Sequence, residues 1–387
     1  MQPFQADQLI AAACEQAGLD DFGSDSFREG LAVYCDALSN EAQLNELGLQ
    51  AVRNNIVGCL VNRLRVVDWS RRHPEVADER IDAPIIVVGM FRAGTTFLSY
   101  LLDQDRANRP LLRWEAHDSV PPPSPDHLRD DPRIERERAS SEMLDRINPR
   151  IKVVQSEEPD GPTECITVMS QDFKSLMWEA LTNVPSYGKW LLDVDQVSAY
   201  EYHRSVLQLL QSGGARGRWT LKSPHHAIAL EALTTVYPDA RLVLMHRDPL
   251  VLAASVCSLI RTLSSTFSDA DHGVYIAVRW TDVLEESIRR VEAFRAAHPD
   301  HLVVDVQYAD LVRDPLATMQ RLYAALGEEL SPEALAAMRA RVEVRPKGKF
   351  GTHNYTLAEF GLDGDALAER YAGYIERYDI PREWPRS

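Results

Sequence analysis

The stretch PIIVVGMFRAGTTFLSYLLD at residues 84–103 limits the possible folds more than any other part of the chain. Ile85, Ile86, Val87 and Val88 form an unbroken β-branched run, too short for a helix and apolar on both faces, as a buried parallel strand must be. Gly89 ends the run, and residues 90–96 bring small side chains, one cation and two hydroxyls. From Thr96 onward, Phe97, Leu98, Leu101 and Leu102 recur at helical spacing. A strand, a small-residue turn and a helix N-terminus together hold a phosphate-like anion, because unpaired backbone N–H groups and the helix dipole both face it.

Gly89 and Gly94 have the spacing of the Walker loop G-x-x-x-x-G-K-[ST], but Thr95 stands where the lysine should be. Arg92, inside the loop, offers a positive charge from a different place. A kinase using ATP and magnesium would need the missing lysine and an acidic metal residue on a second strand. The loop therefore reads as a P-loop-type anion cradle that lacks ordinary ATP chemistry. A tight strand-to-helix turn with no ligand would use the same glycines.

Residues 1–80 read as helices, with Leu31, Tyr34, Leu38 and then Leu44 to Leu64 in helical period and a turn cluster at residues 20–25. Residues 104–135 read as loop, including the polyproline-like Pro121-Pro122-Pro123, and residues 133–147 as an exposed amphipathic helix. Residues 157–202 are rich in large side chains such as Phe173, Met177, Trp178, Tyr187, Trp190, Tyr200 and Tyr202. They suit a core, and they also suit the wall of an apolar pocket. After Gly213-Gly214, strands at 219–222, 241–246 and 302–306 alternate with helices at 225–237, 250–263, 274–297 and 314–326. Such alternation predicts a parallel sheet covered on both faces.

A formal net charge of -16 argues against a broad nucleic-acid surface or an anionic membrane as partner. Any basic residues that hold an anion must therefore be gathered locally. The five cysteines form no C-x-x-C pair, which argues against a disulfide framework or a zinc site and for a reducing compartment. The first residues carry Asp7 and Glu15 and no basic leader, and no apolar run approaches the roughly 20 residues of a membrane span. A cytoplasmic protein is expected.

A second anion site follows the strand at 241–245, where Arg247-Asp248-Pro249 opens a helix and Ser255 lies about two turns along it. The preceding His246 invites comparison with a kinase H-R-D loop, but Ala253 stands where that motif needs Asn. Taken alone, an Arg-Asp-Pro turn also serves simply to cap a helix.

The two sites together are more specific. Arg92-Ala93-Gly94-Thr95-Thr96-Phe97 resembles the 5′-phosphosulfate loop of sulfotransferases that use 3′-phosphoadenosine 5′-phosphosulfate (PAPS). Arg247 with Ser255 resembles that family's 3′-phosphate site, and Gln307-Tyr308-Ala309-Asp310-Leu311 its segment near the purine. Lys347-Gly348-Lys349-Phe350-Gly351 is similar to its Lys-Gly-x-x-Gly loop over the 3′-phosphate. Pro346 replaces the usual Arg there and Arg345 lies one residue upstream, so Arg345 and Lys347 are both candidates for that contact. The resemblance covers roughly residues 84–112 and 219–351.

It implies an α/β fold: a P-loop-like parallel sheet flanked by helices, in a single sulfotransferase domain over residues 1–387. Residues 84–112 and 219–351 would form the nucleotide-binding core, 1–80 a helical cap and 113–218 an inserted substrate-side region. PAPS would be the co-substrate, and no metal is expected. Arg92 and the N–H groups of residues 94–97 would take up charge on the leaving oxygen, with Lys222 beside them at a strand end. Many family members place a His two residues after that Lys, where this chain has Pro224. Other branches use a Glu downstream of the first loop, and Arg113-Trp114-Glu115 resembles that placement, which makes Glu115 the expected base. His226, His225 and His117 are the alternatives. The acceptor is expected to be an apolar or amphipathic, small-molecule or lipid-like alcohol. A non-catalytic nucleotide-binding module would need neither Glu115 nor Lys222.

Overall fold

The computed structural model describes residues 4–151, 157–344 and 356–384. Its central strand, β1 (Ile85–Gly89), is buried along its whole length. Ile86 and Val88 join one apolar core, Ile85 and Val87 another. That is the period-two alternation of a strand covered on both faces. Each such side chain contributes about 1.5–3 kcal/mol by burial, which is why the run has no polar member.

Four more strands complete the sheet: β2 (Asn108–Pro110), β3 (Arg218–Ser223), β4 (Arg241–His246) and β5 (Val303–Gln307). Their order is β2-β3-β1-β4-β5, and every pair is parallel. The parallel, doubly covered sheet expected from the sequence is present. All five strands point the same way, so the loops that follow them gather along one edge, where α/β sheets bind ligands.

The N-terminal helices α1 (Ala6–Ala17), α2 (Phe27–Asn40) and α3 (Glu46–Arg72) match the helical reading of residues 1–80. They pack in the same core as residues 165–210, where Phe173, Trp178, Tyr187 and Tyr200 are fully buried. Polar bonds tie the two regions: buried Asp172 accepts from Arg63 of α3 at 2.9 Å and from Ser198 at 2.8 Å. Most of the aromatic segment is therefore core.

Beyond β1 comes α4 (Thr95–Leu102), then two short elements in the stretch read as loop: β2 and α5 (Arg113–His117). β2 corrects that reading. Its three residues end in Pro110, which has no N–H for a ladder and so is tolerated at a sheet edge. The exposed helix expected at 133–147 is α6 (Arg133–Ile147).

Candidate active site

The turn after β1 is built by two backbone conformations that most residues avoid. Arg92 has φ +72° and Gly94 φ +92°. For arginine this left-handed conformation costs free energy that the surrounding contacts must repay. Gly94 then stands at the N-cap of α4 with no side chain to offer, so the first-turn N–H groups of Thr95, Thr96 and Phe97 face the turn. Gly89 is required as well: a β-carbon there would fall 2.9 Å from Thr95 Cγ2. Ala93 is fully buried under the turn.

The two anion motifs are one site. Arg92 Nε donates to Ser255 Oγ at 3.1 Å, and Arg247 Nη1 donates to the Arg92 carbonyl at 2.9 Å. Arg247 lies at the end of β4, and Ser255 sits in the helix Pro249–Ser264, capped by Asp248 through Leu250 N–H at 3.0 Å. The Arg247 guanidinium stacks 4.0 Å from the centre of the Tyr308 ring, which follows β5. The same ring covers Gly94, whose β-carbon would lie 2.5 Å from Tyr308 Cδ2. Arg92, Gly94, Arg247, Ser255 and Tyr308 thus converge from three strand ends. Two cations, one aromatic face and a row of N–H groups fit a nucleotide bearing two anionic groups.

Lys222 lies near the end of β3, in register with Val87 of β1. Its ammonium is buried between two carboxylates, 3.0 Å from Glu157 Oε1 and 3.3 Å from Glu164 Oε1. Thr163 Oγ1 donates to the other Glu157 oxygen at 3.0 Å. Burial works against the lysine's charge, but the two carboxylates outweigh it and hold its pKa above the usual lysine range. Burial also acts on both acids: it prevails at Glu164, whose pKa is raised with help from the Glu157 charge, despite the lowering pull of Lys222 and Arg92. At Glu157 burial is outweighed by the Lys222 and Arg113 charges together with the hydrogen bonds from Lys222 and Thr163, and the pKa is lowered. The field of Arg92 on Glu164 joins this triad electrostatically to the anion loop. The arrangement offers a fixed cation and a carboxylate whose proton affinity is raised toward the range useful to a general base.

Glu115 is engaged by a different cation. Its carboxylate is fully buried and closed on Arg109, with Nη1 donating at 2.9 Å and Nη2 making a second, short bond. It also accepts from Leu112 N–H at 3.1 Å, locking the first turn of α5. Arg109 in turn donates to Ala215 and Pro110 carbonyls and packs on Trp219. The bidentate pair and the helix cap engage both carboxylate oxygens.

The histidine alternatives are also held elsewhere. His225 is fully buried, accepts from Leu176 N–H at 3.3 Å and pairs with Gln196; burial pushes its pKa down to about 3. His226 faces Tyr200 OH at 2.9 Å, and burial depresses its pKa well below the usual histidine range. His117 pairs with Glu137 of α6 at 3.2 Å. Arg345, Lys347 and Gly348 lie outside the described residues.

Sequence reasoning missed Glu157 and Glu164. The local signal was present: both lie in the acidic, Gly-Pro-containing run EEPDGPTE. Nothing in that run announces a lysine 58 or 65 residues away. Among the described residues, no group of three or more His, Cys, Asp or Glu side chains is arranged to hold a metal ion, and no helix is long and apolar enough to cross a membrane.

Residues 84–332 match the model of a family described as the sulfotransferase family. The chain is 35% identical to a sulfotransferase of Mycobacterium avium of known crystal structure, with a TM-score of 0.89 over 99% of this chain and 98% of that one. A sulfotransferase of Mycobacterium tuberculosis H37Rv aligns at 36% identity and TM-score 0.86, covering 96% and 99%. An omega-hydroxy-beta-dihydromenaquinone-9 sulfotransferase, found in Mycobacterium bovis and Mycobacterium tuberculosis, is 25% identical over 79% of this chain and 77% of its own length.

Proposed function

The chain belongs to the sulfotransferase family, and from that premise we propose that it moves the sulfuryl group of PAPS to the hydroxyl of an apolar, lipid-like acceptor, with Glu164 as base. The observation that carries this reading is the junction of Arg92, Ser255, Arg247 and Tyr308 beside the Lys222–Glu164 pair. The cation-and-aromatic half suits an adenine nucleotide with a phosphate at each end. The buried half suits proton removal from an alcohol.

Sulfuryl transfer, like phosphoryl transfer, depends on in-line placement and on charge stabilisation. Glu164 accepts the acceptor's hydroxyl proton. The acceptor oxygen bonds to sulfur as the sulfur–oxygen bond to the 5′-phosphate breaks and its electron pair stays on the phosphate oxygen. Arg92, the first-turn N–H groups of α4 and the Lys222 ammonium take up that charge. Glu157 keeps Lys222 in place and protonated while Glu164 changes protonation state. The Arg247 fork suits a bidentate phosphate contact that lysine could not copy.

Two lines support the acceptor class. The menaquinone-derived substrate in the name of the curated relatives is a lipid with a terminal hydroxyl. Phe91 of the loop after β1, with Met177 and Trp190 of the aromatic segment, stays partly buried on the flank of the larger core, and apolar side chains of this kind suit an apolar chain. We place the protein in the cytoplasm, a reading supported by its five unpaired cysteines.

Thermal unfolding with adenosine 3′,5′-bisphosphate, and separately with ATP plus magnesium, tests the donor. A ligand at 100 times its Kd stabilises by about 2.7 kcal/mol. Stabilisation by the bisphosphate, lost in Arg247→Ala, is the expected result. Equal or greater stabilisation by ATP with magnesium would overturn the reading in favour of a kinase. Sulfation assays with quinol-derived and simple long-chain alcohols then test the acceptor; turnover confined to highly charged glycans would overturn the apolar class.

A further inference from the structure

Arg247 already holds a bidentate anion, and it comes from the chain itself. Its Nε donates to Glu383 Oε1 at 2.9 Å and its Nη2 to Glu383 Oε2 at 3.0 Å. This carboxylate lies 136 residues further along the chain and is delivered by a built anchor. The helix Ala372–Arg377 places Tyr374 OH 3.0 Å from His246 Nδ1, and the Tyr378 ring stacks on the same imidazole at 4.2 Å. Gln307, the residue before Tyr308, donates to the Tyr378 carbonyl at 2.7 Å. Asp248 Oδ2 then accepts the backbone N–H groups of Glu383 at 2.7 Å and Trp384 at 3.0 Å. Every one of these anchors sits beside Arg247 or Tyr308. The segment is therefore tied to the nucleotide site itself.

A carboxylate and a phosphate present the same pair of oxygens to the Nε–Nη2 edge of a guanidinium. The edge cannot hold both, and two anions there would repel. We propose that Glu383 is an internal competitor that occupies the Arg247 fork until a nucleotide with a 3′-phosphate displaces it. The proposal rests on the reading of Arg247 as the 3′-phosphate contact. A nucleotide lacking that group does not need to open the pair, so the carboxylate weakens only the 3′-phosphorylated donor and product and hastens departure of the product. The Asp248 bonds to the backbone keep the segment in place while the side chain swings out, so that release of product lets Glu383 return. The apparent affinity for the bisphosphate is then the intrinsic affinity reduced by the fraction of molecules in which the fork is open.

Calorimetric titration of the full chain with adenosine 3′,5′-bisphosphate and with adenosine 5′-phosphate tests this in wild type, Glu383→Gln, Glu383→Ala and Arg247→Ala. Removing the carboxylate should tighten the bisphosphate by about three- to tenfold, the factor by which the closed pair limits the competent fraction, and leave the 5′-phosphate unchanged. Arg247→Ala should abolish the preference between the two ligands. If both Glu383 variants bind the bisphosphate no better than wild type while Arg247→Ala loses the preference, Glu383 is only a surface partner and the inference is overturned, the reading of Arg247 standing. If Arg247→Ala keeps the preference, the reading fails and the inference falls with it.

Discussion

The Lys222 ammonium and the Glu164 carboxylate stand 3.3 Å apart, the lysine fully buried and the acid partly so, next to a loop whose Arg92 bears on the same acid. Burial, with the Glu157 charge, raises the Glu164 pKa above its ordinary 4.5 against the pull of the two cations. As a base it must be ionised, so activity should decline as pH falls through that raised value, earlier than an ordinary glutamate would allow. Glu164→Gln should lower kcat by about 10²–10⁴, the usual worth of a positioned base. The KM for the donor should change little, and the acidic limb of the rate profile should disappear. Steady-state rates of sulfate transfer across pH 5 to 8 check all three expectations. An unchanged kcat in the variant would remove Glu164 from the mechanism.

Glu115 should behave in the opposite way. Its carboxylate closes a buried pair with Arg109 and caps α5. Glu115→Ala leaves the Arg109 guanidinium buried without its counter-charge, a loss of about 3–5 kcal/mol. Denaturant unfolding should show this as a lower midpoint with an unchanged slope, while the folded fraction keeps its turnover. A variant that stays stable but loses kcat would return Glu115 to the chemistry.

Gly94 makes the cradle possible, and its replacement should separate folding from binding. Gly94→Ala forces an L side chain to φ +92° and sets its β-carbon 2.5 Å from the Tyr308 ring. The conformation alone costs about 1–2 kcal/mol, and the ring must leave its place over the loop. We expect a modest fall in melting temperature and a loss of bisphosphate affinity of tenfold or more. Gly94→Ala with Tyr308→Ala removes the clash and should recover part of the stability but little of the binding. Affinity equal to wild type in Gly94→Ala would mean that the ring and the glycine do not jointly form the nucleotide seat.

The sheet and the anion loop were legible because their signals are local. Four consecutive β-branched residues, a glycine and a helical apolar period lie within residues 85–102, and both faces of β1 are in fact buried. Arg247, Ser255 and Tyr308 were singled out by their motifs, although only the fold shows that Arg92 bonds Ser255 across 163 residues. β2 escaped because three residues ending in proline carry no strand pattern. The partner of Glu115 was not legible, because an Arg-Trp-Glu run says nothing about where the carboxylate points; Arg109, six residues upstream, takes it. Glu157, Glu164 and Glu383 were invisible for a different reason. Each owes its role to a cation at least 58 residues away, so its function is a property of the folded chain alone.

Three buried imidazoles make the fold sensitive to acid in a defined direction. His203 and His225 are pushed down to about 3 by burial, His225 also by the Arg290 charge, and His226 is depressed by burial and by its two histidine neighbours. His203 and His225 are neutral in the folded protein at pH 5, whereas in the unfolded chain each titrates near 6.5. Between those values the unfolded state binds more protons, so stability is complete above about pH 6.5 and falls as pH drops toward 3, by up to about 1.4 kcal/mol per pH unit for each group. Carboxylates protonate in the lower part of that window, and variants distinguish the two sources. His203 donates to or accepts from Tyr237 OH at 2.8 Å through Nδ1, a contact glutamine can make without titrating. His203→Gln should therefore lose less stability than wild type between pH 7 and pH 5, whatever its starting melting temperature. Calorimetric melts at half-unit steps give the comparison. Parallel curves for the two proteins would show that His203 takes up no proton on unfolding, and the acid sensitivity would then belong to the carboxylates.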